Sequence, residues 1–134
     1  MEATNINSLD TSVIERYYRD FYISDTCTTA CFQDNATTQF LRNENNGLHF
    51  PACGAANNDS NSIVHAIPVV LRFAGDPAML GRVETAVRVL QNTDSAVAQA
   101  LAAARILEFV RFCRMFLLLF NHHAKGVFLP STLH

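Results

Sequence analysis

Polar side chains that could bind a ligand are concentrated in one loop in the middle of the chain. The loop, residues 51–62, combines small residues with amides, a carboxylate and hydroxyls, and a further amide follows a later helix pattern. A few such groups placed together can fix the orientation of a polar ligand. The candidate ligand-binding residues are Asn58, Asp59, Ser60, Asn61 and Asn92. The same residue types also favour helix N-caps, so a structural role is the alternative.

Metal-assisted hydrolysis would need more acidic residues than this loop offers. Asp59 is the single carboxylate between Pro51 and Ser62, and no second acidic cluster adjoins it in the sequence. Mg²⁺ takes several oxygen ligands at near-octahedral geometry, so one carboxylate cannot hold a two-metal site. The sequence therefore predicts no catalytic residue, no metal ligand and no cofactor in this chain.

The cysteines, Cys27, Cys31, Cys53 and Cys113, do not form a recognisable metal motif. Structural zinc sites usually contain cysteine pairs at close, regular spacing, whereas this chain has neither a C-x-x-C pair nor a second pair. A zinc site that joins Cys27, Cys31 and Cys53 with His49 is therefore a minor alternative. We expect reduced, structural thiols.

Composition limits the partners and the location. The chain of 134 residues, 49% hydrophobic and 16% charged, is long enough for one folded domain. A net charge of −2 and a pI near 6.2 provide no basic surface for a nucleic acid. The amino terminus lacks the basic and apolar regions of a secretory signal, so we expect an intracellular, cytoplasmic protein.

The first 46 residues contain patterns for two short helices. The segment Ser12–Glu15 has the pattern of a capping box, in which a serine and a glutamate each bond a free backbone N–H at a helix start. Apolar and aromatic residues then recur at helical spacing. A second helix is predicted from about Asp34 to Asn43, with Phe40 and Leu41 directed inward and Gly47 as a late stop.

The loop leads into a third predicted helix. Asp59, Ser60 or Asn61 is expected to supply its N-cap. Pro68 lies inside the pattern and has no N–H to donate, so we expect a kink or a missing bond, and Gly75 is expected to end the helix. Its apolar stripe comprises Ile63, Val64, Ile67, Val70, Leu71 and Ala74.

Two further helices complete the predicted fold. Asp76-Pro77 is expected to provide the N-cap and first residue of the next helix, with Glu84 and Arg88 as an exposed ion pair. Thr93 or Asp94 is expected to cap a last, alanine-rich helix, whose small side chains let a neighbour approach closely. These patterns predict an all-α fold, an orthogonal or antiparallel helical bundle.

Three segments resemble an ADP-ribosylglycohydrolase domain, and the likeness is closest to the J-type crystallin branch of that family. They are Asn57–Pro68, Phe73–Pro77 and Leu90–Asp94, which the alanine-rich helix follows. The likeness extends over about Tyr22–Glu108. It implies an all-α domain that in this family is considerably longer than the present chain. Family members hold two magnesium ions that position ADP-ribose for hydrolysis.

The family's functional motifs are altered or absent in this sequence. Its Thr-Asp-Asp and Asp-x-Asp metal motifs have no counterpart, and no acidic residue follows Glu108. Its Gly-Asn-Gly loop and Met-Arg pair are replaced by Asn58–Ser62 and Val64-His65, and its Thr-His pair by Gln91-Asn92. The resemblance therefore implies a non-catalytic protein. Magnesium-dependent hydrolysis of ADP-ribosyl bonds is the alternative.

The last part of the sequence differs from the rest. The segment Phe109–Phe120 is strongly apolar and does not resemble the family. Its uncharged run, Met115–Phe120, is far shorter than the ~20 residues of a membrane span. We expect a partial ADP-ribosylglycohydrolase-like helical domain at 1–108 and an unrelated apolar helical tail at 109–134, as in a truncated product. Another possible function is a helical interaction module that self-associates through this tail.

Overall fold

The computed structural model of the chain describes residues 10–24 and 33–127, with side chains described as far as residue 121. The helices are α1 (Thr11–Tyr22), α2 (Asn35–Asn45), α3 (Ser62–Phe73), α4 (Met79–Leu90) and α5 (Asp94–Val127). Within these ranges there is no strand, and one isolated bridge joins Ala55 to Gln91. The predicted all-α helical bundle is confirmed.

Two apolar clusters hold the helices together, one on each side of α4. Helices α3, α4 and α5 pack against one another, and the alanines of α5 (Ala96, Ala100 and Ala104) are fully buried between them. Helices α1 and α2 pack on the other side of α4. That second cluster is built on Phe40, Cys53, Val89 and Leu90. Small side chains on α5 permit the close contact that the alanine pattern predicted.

The capping box predicted at Ser12–Glu15 is wrong. The N-cap of α1 is Asp10, whose carboxylate accepts hydrogen bonds from the Ser12 amide at 2.9 Å and hydroxyl at 2.7 Å. Aspartate is among the strongest N-cap residues, so the helix begins one residue before the predicted cap. Glu15 therefore does not take part in capping α1, and its side chain is buried.

The predictions for α2 are confirmed and those for the start of α4 need correction. Asp34 caps α2 by accepting a hydrogen bond from the Thr37 amide, and Phe40 is completely buried. Gly47, at φ +77°, follows the end of the helix. By contrast, Asp76-Pro77 lies in a turn, and α4 begins at Met79.

Asn61, one of the predicted N-cap positions of α3, is confirmed, whereas part of the predicted buried face of the helix is wrong. Asn61 is the N-cap residue, but its side chain makes no capping bond and donates instead to Asp34. Helices α4 and α5 pack on the face that carries Ala66, Val69 and Val70. The apolar stripe of α3 is wider than this face, so Val64, Ile67 and Leu71 remain 39–63% exposed.

The end of α3 is bonded to the middle of α5. Gly75, at φ +89°, ends the helix as predicted, and its N–H donates to a Glu108 carboxylate oxygen at 2.8 Å. The Arg111 guanidinium donates to the carbonyls of Val70 and Leu71. An arginine at a helix C-terminus satisfies carbonyls that have no intrahelical partner. Helix α5 continues without a break past residue 108. The division of the chain at this residue into a domain and an unrelated tail stays a prediction.

The remaining predicted contacts at the ends of α4 and α5 are confirmed. Glu84 accepts a hydrogen bond from the Arg88 guanidinium at 2.8 Å. The Thr93 hydroxyl accepts a hydrogen bond from the Ala96 amide at 3.3 Å, as an N-cap residue does. The connection between the two helices is therefore as short as the sequence indicated.

Candidate functional site

The candidate ligand-binding loop lies at the surface before α3. The side chains of its four predicted residues, Asn58, Asp59, Ser60 and Asn61, are exposed, and Asn92 is half-buried after α4. One carboxylate oxygen of Asp59 accepts a hydrogen bond from the Asn57 amide at 3.0 Å. The polar groups of the loop are therefore partly used in contacts within the chain. Whether they also bind a ligand stays a prediction.

A set of hydrogen bonds, here called the loop anchor, joins residues 51–59 to residues 90–93. Gln91 is fully buried, and its amide nitrogen donates to the Asn57 side chain at 2.6 Å and to the Asp59 carbonyl at 3.0 Å. The side-chain amide nitrogen of Asn92 donates to the Pro51 carbonyl at 2.9 Å. Asn92 thus has a structural role, because it fixes the start of the loop against the end of α4.

A second polar group, which the sequence analysis did not identify, lies where α1, α2 and the following loop meet. We call it the buried cluster, and it contains Glu15, Glu44, His49 and Cys53. One ligand atom from each of Glu15, Glu44 and Cys53 lies within 4.8 Å of the other two. Cys53 and His49 belong to the minor zinc alternative, whereas Cys27 and Cys31 lie outside the described residues.

Glu15 makes the shortest contacts in the buried cluster. One of its oxygens lies 2.6 Å from Nδ1 of His49, and the other accepts the Phe50 amide at 3.0 Å. The Cys53 thiol lies 3.9 Å from the same second oxygen. Burial opposes ionisation, but the hydrogen bonds from Glu44, His49 and Phe50 outweigh it and lower the pKa of Glu15.

The environment of Glu44 shifts its pKa in the opposite direction to that of Glu15. Glu44 is 8% exposed. Burial and the neighbouring Glu15 together raise the pKa of Glu44 to about 7. Its Oε1 lies 3.7 Å from Nδ1 of His49, and its Oε2 lies 3.5 Å from the Arg19 guanidinium. The hydrogen bond with Glu15 raises the pKa of His49.

The chemistry available to the buried cluster is proton sharing or cation binding. A pair of carboxyls with separated pKa values resembles an acid–base pair, and such perturbed groups often lie at functional sites. Cys53 does not suit nucleophilic chemistry, because burial raises the pKa of its thiol to about 12. The imidazole of His49, whose side chain is 71% exposed, connects the cluster to solvent.

One sequence signal could have revealed Glu15. Ile14 and Tyr18 pack against the second apolar cluster, and both lie on the inner side of α1. Glu15 directly follows Ile14 and is three residues before Tyr18, so its carboxylate was placed on the edge of the buried face. A carboxylate in that position requires partners inside the protein.

A third feature is the apolar segment of α5, residues 106–120. Ten of its eleven large apolar side chains are between 43% and 68% exposed, and the eleventh, Leu107, packs against the core. The exposed residues are Ile106, Phe109, Val110, Phe112, Met115, Phe116, Leu117, Leu118, Leu119 and Phe120. Among the helices in the described ranges, none combines the length and apolar character that a membrane crossing requires.

Comparisons with known proteins identify no relative of this chain. A scan against protein-family models gave no match, and searches of curated proteins and of solved structures gave no match either.

Proposed function

We propose that this chain is a non-catalytic helical interaction module that associates with a second copy of itself through the apolar segment of α5. The observation that carries this proposal is the exposure of ten large apolar side chains along that segment, including every residue of Met115–Phe120. The run Met115–Phe120 is apolar on all sides. Such a helix is normally buried in its functional state. The segment is about 22 Å long at 1.5 Å per residue, which is enough for several turns of helix-to-helix contact.

The uncharged run at the end of the segment favours an apolar partner over a charged one. Glu108 and Arg111 bond to the end of α3 within the same chain, so these two charges already have intramolecular partners. The run Met115–Phe120 carries no charge at all. A second copy presents the same apolar surface, and a two-fold interface lets each copy cover the other.

The family likeness is part of the proposal. We propose a non-catalytic relative of the ADP-ribosylglycohydrolases, nearest to the J-type crystallins, that contains part of such a domain. The loop anchor supports this, because Asn57, Gln91 and Asn92 hold the loop in place instead of presenting an open ligand site. The alternative is magnesium-dependent hydrolysis of ADP-ribosyl bonds. Reproducible magnesium-dependent release of ADP-ribose from modified serine or arginine, lost in Asp59→Ala, would support that alternative.

Charge substitution in the apolar segment tests the association. Phe116 is 66% exposed, so Phe116→Glu should leave the bundle folded while placing a carboxylate in the interface. Burying a phenylalanine contributes about 1.5–3 kcal/mol, so we expect association at least tenfold weaker by light scattering coupled to gel filtration. Ala102→Glu, on an exposed position of the amino-terminal half of α5, is the matched control. Equal association of both variants and the unsubstituted chain would contradict the proposal.

A further inference from the structure

The buried cluster has the composition of a metal site, and this inference is independent of the association through α5. We propose that Glu15, Glu44 and Cys53, with His49 as the fourth ligand, bind one divalent transition-metal ion in tetrahedral geometry, with zinc as the expected occupant. The site joins α1, α2 and the loop at residues 49–53, beside the second apolar cluster.

Three of the four proposed ligands already lie near one another, because one donor atom from each of Glu15, Glu44 and Cys53 lies within 4.8 Å of the other two. Zinc lies about 2.0–2.3 Å from nitrogen, oxygen and sulfur ligands, so neighbouring ligand atoms are about 3.5 Å apart. Nδ1 of His49 lies 3.7 Å from Oε1 of Glu44, and the Cys53 thiol lies 3.9 Å from Oε2 of Glu15, the oxygen that does not contact His49. The 2.6 Å contact between His49 and Glu15 must lengthen by roughly 1 Å. The exposed imidazole can make that movement without loss of core packing.

A second observation is a buried carboxylate oxygen that has no hydrogen-bond donor among the described residues. Oε1 of Glu44 is buried and receives no hydrogen bond from any N–H or O–H donor in the described part of the chain. The whole Glu44 side chain is 2% exposed, so water does not reach it freely. A buried carboxylate oxygen without a donor is unfavourable unless a proton or a cation neutralises it. This oxygen lies 3.7 Å from Nδ1 of His49, and a shared cation would lie between the two atoms.

The donor types select the metal. A thiolate and an imidazole combined with carboxylates suit zinc and related transition metals, whereas magnesium and calcium prefer oxygen ligands alone. Outer contacts that orient the ligands are already present, because the Phe50 amide donates to Glu15 and the Arg19 guanidinium lies 3.5 Å from Glu44. Four protein ligands leave no position open for substrate, so the predicted role of the ion is structural.

Cobalt(II) titration of the full chain tests the site, because cobalt replaces zinc and reports its ligands by absorption. The experiment uses a variant with Cys27→Ser, Cys31→Ser and Cys113→Ser, in which Cys53 is the single remaining thiol. We expect one equivalent of cobalt to give intense tetrahedral visible bands and a sulfur-to-cobalt charge-transfer band. Excess zinc should remove both. Weak octahedral bands without charge transfer, as from the His122-His123 pair, would overturn the proposal.

Two further variants identify the other ligands. Glu44→Gln keeps the side-chain shape, and His49→Ala changes an exposed residue, so both should retain the circular dichroism of the parent chain. Each should weaken cobalt binding at least about tenfold, because even outer contacts of a metal site contribute that much. Asp59→Ala removes an exposed carboxylate outside the cluster and should leave the affinity unchanged. An affinity unchanged in both folded ligand variants would overturn the site.

Discussion

Gly54 lies against the end of α4 with no space for a methyl group. An added Cβ would lie 2.5 Å from the Arg88 carbonyl oxygen and 2.7 Å from Cβ of Asn92. Favourable non-bonded separations are about 3.5–4.0 Å, so the loop must move away by roughly 1 Å. That movement disrupts two backbone hydrogen bonds, from the Ala55 N–H to the Leu90 carbonyl and from the Asn92 N–H to the Ala55 carbonyl. At about 1 kcal/mol for each bond and 1–3 kcal/mol for overpacking, Gly54→Ala should lower the free energy of unfolding by about 3–5 kcal/mol.

Urea unfolding followed by circular dichroism measures this change, and a second glycine provides the matched control. Gly81 lies within α4, and an added Cβ there would meet no atom within 4 Å. Gly81→Ala should therefore raise the free energy of unfolding by about 0.5–1 kcal/mol, because alanine has the higher helix propensity. A Gly54→Ala chain within 1 kcal/mol of the unsubstituted protein would show that the loop anchor does not hold the loop as described.

Three other substitutions test separate parts of the structure. The folded-state pKa of Glu44, about 7, exceeds its unfolded value of 4.5, so its contribution to stability is complete below pH 4.5 and is lost as pH rises through 7. In chelator-containing buffer, Glu44→Gln should reduce the decline in the free energy of unfolding between pH 5 and 8, measured in urea, by up to about 3 kcal/mol, and an unchanged decline would count against the assigned burial. Arg111→Met should lower the free energy of unfolding by about 1–3 kcal/mol, because the carbonyl of Leu71 loses a charged donor, and equal thermal stability would contradict that contact. Asp59→Ala should change stability by less than about 1 kcal/mol, since its exposed carboxylate bonds to the nearby Asn57. The unsubstituted chain should show no melting-temperature rise with millimolar ADP-ribose, whereas a clear rise would favour a ligand pocket in the loop.

The helices were predictable because local chemistry determines them. The apolar periodicity, Gly47 and the cap at Thr93 depend on residues within a few positions of one another. The errors arose where two local options competed. Asp10 displaced the Ser12–Glu15 pattern as the cap of α1, and Asn61 bonded to Asp34 across the fold instead of to its own helix. A sequence does not show which of two suitable caps has a better partner elsewhere.

The buried cluster was not predictable from spacing, because its members come from distant segments. Glu15 and Cys53 are 38 residues apart, and their contact requires α1 to pack beside the loop that follows α2. The exposed apolar segment was predictable in composition but not in extent. Its boundary depends on where α5 leaves the bundle, and the bonds of Glu108 and Arg111 to the end of α3 determine that position.

Sedimentation velocity of two chain lengths tests the proposed association most directly. A chain that ends at Arg114 keeps the bundle contacts of Glu108 and Arg111 and removes the uncharged run Met115–Phe120. Both chains should unfold cooperatively and retain helix by circular dichroism. We predict that the full chain sediments as a dimer or larger species with increasing concentration, whereas the shortened chain stays monomeric. A full chain that remains a monomer across the same concentrations, with no binding of a hydrophobic dye, would contradict the account.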